Sequence, residues 1–235
     1  MDNFIVIDFV GLGGSGKTYL STLLAKRLGS RCIQASTYKL QFIDILYFIL
    51  MKPTYFYHVA RFIISSNPKS AKVCFQSIIK IMNYSIKYSV LTKNKSNYII
   101  FDEGMLHKLR QIQNTSKYND ITFSNINIKY KNLFFTYPDV VVFITPPVDL
   151  VLQRKIIRDG KIMNNGSQSS SLSNKLGEYE RSIQRTECDI KAACEEFGFR
   201  YIRVYNHEYD SPEKEVEEIV RVLHSEYQKA HEINI

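Results

Sequence analysis

Residues 9–21 read "FVGLGGSGKTYLS", and Gly11, Gly16, Lys17 and Thr18 within them fit the spacing G-x-x-x-x-G-K-[ST]. Each residue type there has a chemical reason. Gly11, Gly13, Gly14 and Gly16, with Ser15 between them, let successive backbone amides converge on phosphate oxygens, and the following helix adds its positive N-terminus. Lys17 is expected to reach the β and γ phosphates of bound ATP, and the Thr18 hydroxyl to ligate Mg²⁺. A second set closes the run "YIIFDEG" at 98–104, where Asp102 is expected to complete the metal site. Beside it, Glu103 is placed either to activate water or to take a proton from an acceptor hydroxyl. Strand-end acids also do a plainer job, favouring the positive end of the next helix. Further on, "LQRKIIRDGK" sets Arg154 and Arg158 four residues apart, on one helix face. They are expected to neutralise charge on a transferring phosphoryl group, the alternative being a solvated basic face.

These residues need a scaffold that gathers them. "NFIVIDFV" (3–10) is a continuous β-branched and aromatic run, the mark of a strand covered on both faces. The Gly loop and a helix over 17–29 follow, then a short strand at 31–36. Residues 38–93 read as helical with no linker, broken before Pro53 and at Asn67-Pro68. Further strands are expected at 96–104, 138–147 and 199–206, with helices at 105–112, 148–160, 175–198 and from Ser211-Pro212 onward. Segment 114–136 is polar and gives no clear pattern, and "NNGSQSSSLSN" (164–174) is low-complexity and expected to be mobile. Strands alternating with helices imply a parallel sheet with right-handed crossovers. In such sheets ligands sit at the carboxyl ends of the strands, where the Gly loop, Asp102-Glu103 and the 145–147 turn all fall.

Composition narrows the classes. The 235 residues suit one domain, 45% hydrophobic and 23% charged. A net charge of +8 invites a nucleic-acid reading, but Lys and Arg are spread without any block of five or six like charges, so nucleic acid is not expected as the partner. Cys32, Cys74, Cys188 and Cys194 form no C-x-x-C pair and no zinc spacing, as expected of free thiols in a reducing, cytoplasmic compartment. The N-terminus reads as a strand and not as a signal peptide. The most apolar region, 42–64, is interrupted by Asp44, Lys52, Pro53, His58 and Arg61, short of the ~18–20 apolar residues of a membrane span.

Taken together, the Gly loop, "IIFDEG", "VVFITPPVDLVLQRKIIR" and the ending "YIRVYNHEYDSPEKEVEEI" resemble the P-loop nucleoside and nucleotide kinases of the thymidylate-kinase-like group. Only the Gly loop is specific as a motif; the rest is element order over most of the chain. The resemblance implies the three-layer α/β/α P-loop NTPase fold with a five-stranded parallel sheet. It also implies ATP and Mg²⁺, a lid over 154–174 carrying the arginines, a helical acceptor-side insert at 38–93, and 206–211 near the adenine. Three departures stand out. The strand end reads Asp102-Glu103-Gly104 where the group often carries an arginine for the acceptor phosphate. Position 10 is Val where many thymidylate kinases place an acid, with Asp8, on the same strand face, as its candidate substitute. The insert is also unusually rich in Tyr, Phe and Ile. Its Tyr38, Tyr57 and Arg61, with Tyr55 and His58, are expected near an acceptor, the alternatives being core rings or an apolar surface pairing with a second copy in a homodimer. The expected activity is phosphoryl transfer from ATP to a small hydroxyl- or phosphate-bearing acceptor. An ATPase or switch using Glu103 on water, a polynucleotide 5′-hydroxyl kinase and a non-catalytic nucleotide-binding subunit stay open beside it.

Overall fold

The computed structural model describes residues 4–93, 96–115, 138–151, 169–205 and 212–232. Its centre is a five-stranded sheet, β1 (Ile5–Val10), β2 (Cys32–Gln34), β3 (Tyr98–Phe101), β4 (Val140–Thr145) and β5 (Arg200–Tyr205). The order across the sheet is β2-β3-β1-β4-β5, and every pairing is parallel. Registers such as Ile7↔Ile100 and Phe9↔Val142 align the ends of β1, β3 and β4. β1 and β3 are buried along their whole length, as a strand covered on both faces must be.

Helices cover both faces. α1 (Lys17–Leu28) packs with the C-terminal helix α7 (Pro212–Glu232) through Leu20, Leu24, Ile219 and Leu223, over Ile5, Ile7 and Phe9 of β1. The opposite face meets Val6 and Val10 and carries the long helical block α2 (Phe42–Met51), α3 (Pro53–Ser65) and α4 (Ala71–Leu91). Alongside lie α5 (Met105–Thr115) and α6 (Ser169–Phe197). This is the expected three-layer arrangement, with the helical block inserted after the second strand.

Local chemistry sets the element ends. α1 ends at Gly29 (φ 61), a left-handed position that spares glycine the Cβ clash. α2 opens on a capping box in which Gln41 and Asp44 satisfy each other's backbone N–H groups, so the helix begins at Phe42 and not at Tyr38. α3 begins with Pro53 at its first position, and Ser70 caps α4 by accepting from the Val73 N–H at 3.3 Å. One boundary differs: α6 begins at Ser169, six residues before the start expected at 175. Helix propagation is cheaper than nucleation, so the long run 175–197 can carry extra N-terminal turns with it. Residues 116–137, with most of the polar segment 114–136, and residues 152–168, with most of the helix expected at 148–160, lie outside the described residues.

The block after β2 is less closed than a core needs. Of α2's ten residues only Phe48 is buried, while Phe42, Ile43, Leu46, Tyr47, Leu50 and Met51 are exposed. Among the described residues no helix is long and apolar enough to cross a membrane.

Candidate active site

The Gly loop runs from the end of β1 into α1. Gly14 and Gly16 both adopt φ 88, a left-handed conformation costly for any residue with a Cβ, and Gly16 forms the N-cap of α1. Lys17 is folded back over the loop, its Nζ donating to the carbonyls of Gly11 at 3.0 Å and Leu12 at 2.9 Å. The side chain is almost fully buried. Burial lowers the ammonium's pKa, while Glu103 and Asp102 oppose that shift, so the three groups share one electrostatic site.

One helical position after Lys17, the Thr18 hydroxyl lies 3.4 Å from Asp102 Oδ2 at the end of β3. A hydroxyl and a carboxylate oxygen, both hard donors, meeting at the mouth of a phosphate loop fit a Mg²⁺ that takes its other ligands from phosphates and water. Among the described residues no cluster of three His, Cys, Asp or Glu side chains offers a competing metal site.

Glu103 is half exposed, with Lys108 Nζ 3.1 Å and His107 Nε2 3.7 Å from its carboxylate. Burial alone would raise its pKa; Lys108 foremost, with Lys17, outweighs that and holds it below the ordinary carboxylate range, so it is ionised at neutral pH. Burial and the charge of Lys17 push His107 down to about 4, leaving a neutral imidazole.

Behind these groups lies Asp8, fully buried on β1. Its Oδ2 accepts from the Leu106 N–H at 3.2 Å, in the first turn of α5. Burial raises this carboxyl to about 7, against the lowering effect of the Leu106 and Gly104 amides and of Lys108. A Cβ built on Gly104 would lie 1.9 Å from Asp8 Oδ1, so the glycine of "DEG" is required by the carboxylate packed against it. Asp8 thus anchors the turn that carries Asp102 and Glu103.

A cleft of about 380 Å³ opens beside the two acids, between α4, α5 and the carboxyl ends of β2 and β3. Its walls are Ala35, Ser36, Lys80, Asn83, Tyr84, Lys87, Phe101, Asp102, Glu103 and Lys108. Tyr84 forms its floor, fully buried, with its ring 4.5 Å from that of Phe101. Of the expected acceptor residues, none lines this cleft. Tyr38 donates to Asp44 at 2.9 Å at the entry to α2; Tyr57 is exposed against His58; Arg61 is exposed on α3; Tyr55 is buried and bonded to Ser85. The structure therefore brings together Gly11–Thr18, Asp102 and Glu103, while Arg154, Arg158 and 206–211 lie outside the described residues. What sequence reasoning missed is the stripe of α4 that borders the cleft, the exposed Lys80 and Asn83 with the buried Tyr84 and half-buried Lys87. Its i, i+3, i+4, i+7 spacing was readable as one helix face.

No protein-family model matches the chain, and no curated protein matches it. Solved structures do. A deoxyadenosine kinase from M. mycoides, with the products dCMP and dCDP bound, superposes with a TM-score of 0.53 at 19% identity. The alignment covers 94% of this chain and 100% of that one. The same enzyme with dATP bound gives 0.51 at 17% identity, covering 94% and 99%. A thymidylate kinase from Ehrlichia chaffeensis gives 0.49 at 15% identity, covering 94% of this chain and 99% of that one. The likeness to the deoxyadenosine kinase covers nearly all of both chains and shows that this chain shares its fold.

Proposed function

We propose that the protein transfers the γ-phosphoryl group of ATP to a hydroxyl or phosphate oxygen of a small, nucleoside- or nucleotide-like acceptor. The observation that carries this reading is a juxtaposition: one cleft has Asp102 and Glu103 on its wall, and Asp102 also touches Thr18 of the phosphate loop. A donor phosphate on the loop and an acceptor in the cleft would then meet across the two acids, where phosphoryl transfer needs them side by side.

In this reading the loop amides and Lys17 bind the phosphates, and Thr18 with Asp102 would hold Mg²⁺, which supplies charge neutralisation on the phosphate oxygens. The bond from the γ-phosphorus to the bridging oxygen breaks, that oxygen leaves with ADP, and a new bond forms to the acceptor oxygen. When the acceptor is a hydroxyl, ionised Glu103 takes its proton. The lid over 154–174 would bring Arg154 or Arg158 over the transferring group and exclude water, and the insert at 38–93 would supply the acceptor side. The thiols and the absence of a membrane-crossing helix among the described residues support a cytoplasmic setting.

The test is ADP release from Mg·ATP, alone and with pooled nucleosides, nucleoside monophosphates, sugars and short oligonucleotides. A small-molecule pool that raises the rate at least tenfold, with a product of matching mass, supports the reading. A steady rate indifferent to every pool would make water the acceptor at Glu103, and stimulation by oligonucleotides alone would assign a polynucleotide kinase. Lys17→Ala is expected to cut turnover by on the order of several hundredfold, since it removes a charge aimed at the transferring group. With a hydroxyl acceptor, Glu103→Gln is expected to abolish transfer while ATP still binds; joint loss of both would mark Glu103 as structural.

A further inference from the structure

The cleft beside Asp102 and Glu103 has a charge balance that its catalytic reading does not use. Three ammonium groups, Lys80, Lys87 and Lys108, face two carboxylates. Lys108 is committed to Glu103 at 3.1 Å, and Asp102 lies against Thr18. Lys80 and Lys87 instead donate to neutral oxygens, Gln111 Oε1 at 3.1 Å and the Ala35 carbonyl at 2.8 Å. Those bonds hold both side chains along the cleft wall without cancelling their charge. Seven residues apart, the two lysines sit on one face of α4 about 10 Å apart along its axis, with Asn83 between them. Burial lowers the pKa of Lys87, opposed by the charge of Asp102, so an added anion would restore what desolvation takes away.

We infer that the acceptor is an anion, carrying a phosphomonoester or a carboxylate that Lys80 and Lys87 grip along the stripe of α4 that borders the cleft. This rests on the phosphoryl-transfer reading and narrows its substrate class, which would otherwise admit neutral nucleosides and sugars equally. It also offers a place for the acceptor's charge in a chain whose strand end reads Asp-Glu-Gly and holds no arginine. A cation on α4 meets the ligand from the opposite wall of the cleft, where a lysine acts as a point charge without fixing a bidentate geometry.

Matched acceptor pairs test it: dAMP against deoxyadenosine, dCMP against deoxycytidine, and D-glycerate against its methyl ester, each with Mg·ATP. The anionic member of at least one pair is expected to show a tenfold or greater advantage in kcat/KM, and the responding pair tells phosphate from carboxylate. Lys80→Met with Lys87→Met is expected to raise the KM of that acceptor tenfold or more while leaving the KM of ATP in place, with Lys87→Arg retaining most of the affinity. Equal or better use of the neutral members, or an acceptor KM unmoved by the double substitution, would overturn the inference while leaving phosphoryl transfer intact. If no pair supports transfer, the reading of the function fails, and the cleft is judged by equilibrium binding of the same anions to protein saturated with a non-hydrolysable ATP analogue. Binding lost in the double variant upholds the anion site; no binding by the wild type rejects it.

Discussion

Asp8 shows how much one buried carboxyl can set. Its surroundings raise it to about 7 from an ordinary value of 3.8, with burial as the dominant cause. The sign of the consequence follows from which state holds the proton. Below about pH 4 the group is protonated in both folded and unfolded chains. As pH rises toward 7 the unfolded chain loses its proton first, so the folded state is increasingly penalised for keeping it, and the stability this group contributes is lost across that window. An asparagine cannot ionise, yet it keeps an oxygen for the Leu106 N–H. Asp8→Asn is therefore expected to gain on the wild type by up to roughly 4 kcal/mol between pH 4 and pH 8. Urea unfolding of both proteins at a series of pH values reads the difference directly. Parallel pH dependences would mean that the carboxyl is ionised in the folded protein throughout.

The junction of β1, β3 and α5 is where elements, and not single residues, fix the site. Asp8 on β1 accepts from the first turn of α5, and Gly104 is squeezed against that carboxylate between β3 and α5. Gly104→Ala would place a methyl 2.1 Å from Asp8 Cγ, which neither a backbone strand nor a buried side chain can yield to cheaply. We expect that substitution to cost about 3 kcal/mol or more, and adding Asp8→Ala, which empties the contested space, to recover over 1 kcal/mol of it. Strict additivity in that double-mutant cycle would show that the clash is not the cause. The same junction marks the limit of what was legible beforehand. β1, the Gly loop and the Asp102 strand end were readable because continuous apolar runs and a fixed glycine spacing are local properties. The face on which Asp8 lies was readable too, from strand alternation, but not that α5 packs against it. Lys80 and Lys87 were spaced as one helix face, yet lysines at that spacing ordinarily read as solvated. Only laying α4 beside the ends of β2 and β3 turns them into a cleft wall. Tyr57 and Arg61 show the complementary limit: α3 turns both outward, away from this cleft, and side-chain type alone does not say which face of a helix is outward.

At the scale of the whole molecule the largest unexplained feature is the outer surface of α2. Ile43, Leu46, Tyr47 and Leu50 form a continuous stripe with exposures of 66%, 46%, 53% and 69%. The helix's one charged residue, Asp44, is occupied in the capping box and by Tyr38. α2 itself contributes no lysine or arginine to this stripe, although Lys93 Nζ lies 4.9 Å over the Tyr47 ring, so in a chain of net charge +8 it is a face of low charge where like can meet like. Two such helices packed across a twofold axis would bury the stripe against itself, each large side chain contributing about 1.5–3 kcal/mol before the cost of association is met. A homodimer, one of the alternatives the sequence leaves open for the insert, is thus proposed to form through α2. Sedimentation velocity on the wild type should give twice the chain mass of 27.4 kDa at micromolar concentration. Ile43→Glu with Leu50→Glu should give a single chain mass and an unchanged far-ultraviolet circular dichroism spectrum, since both positions already face outward. A wild type that sediments as one chain at every concentration, or a double variant that stays paired, would remove α2 as the interface.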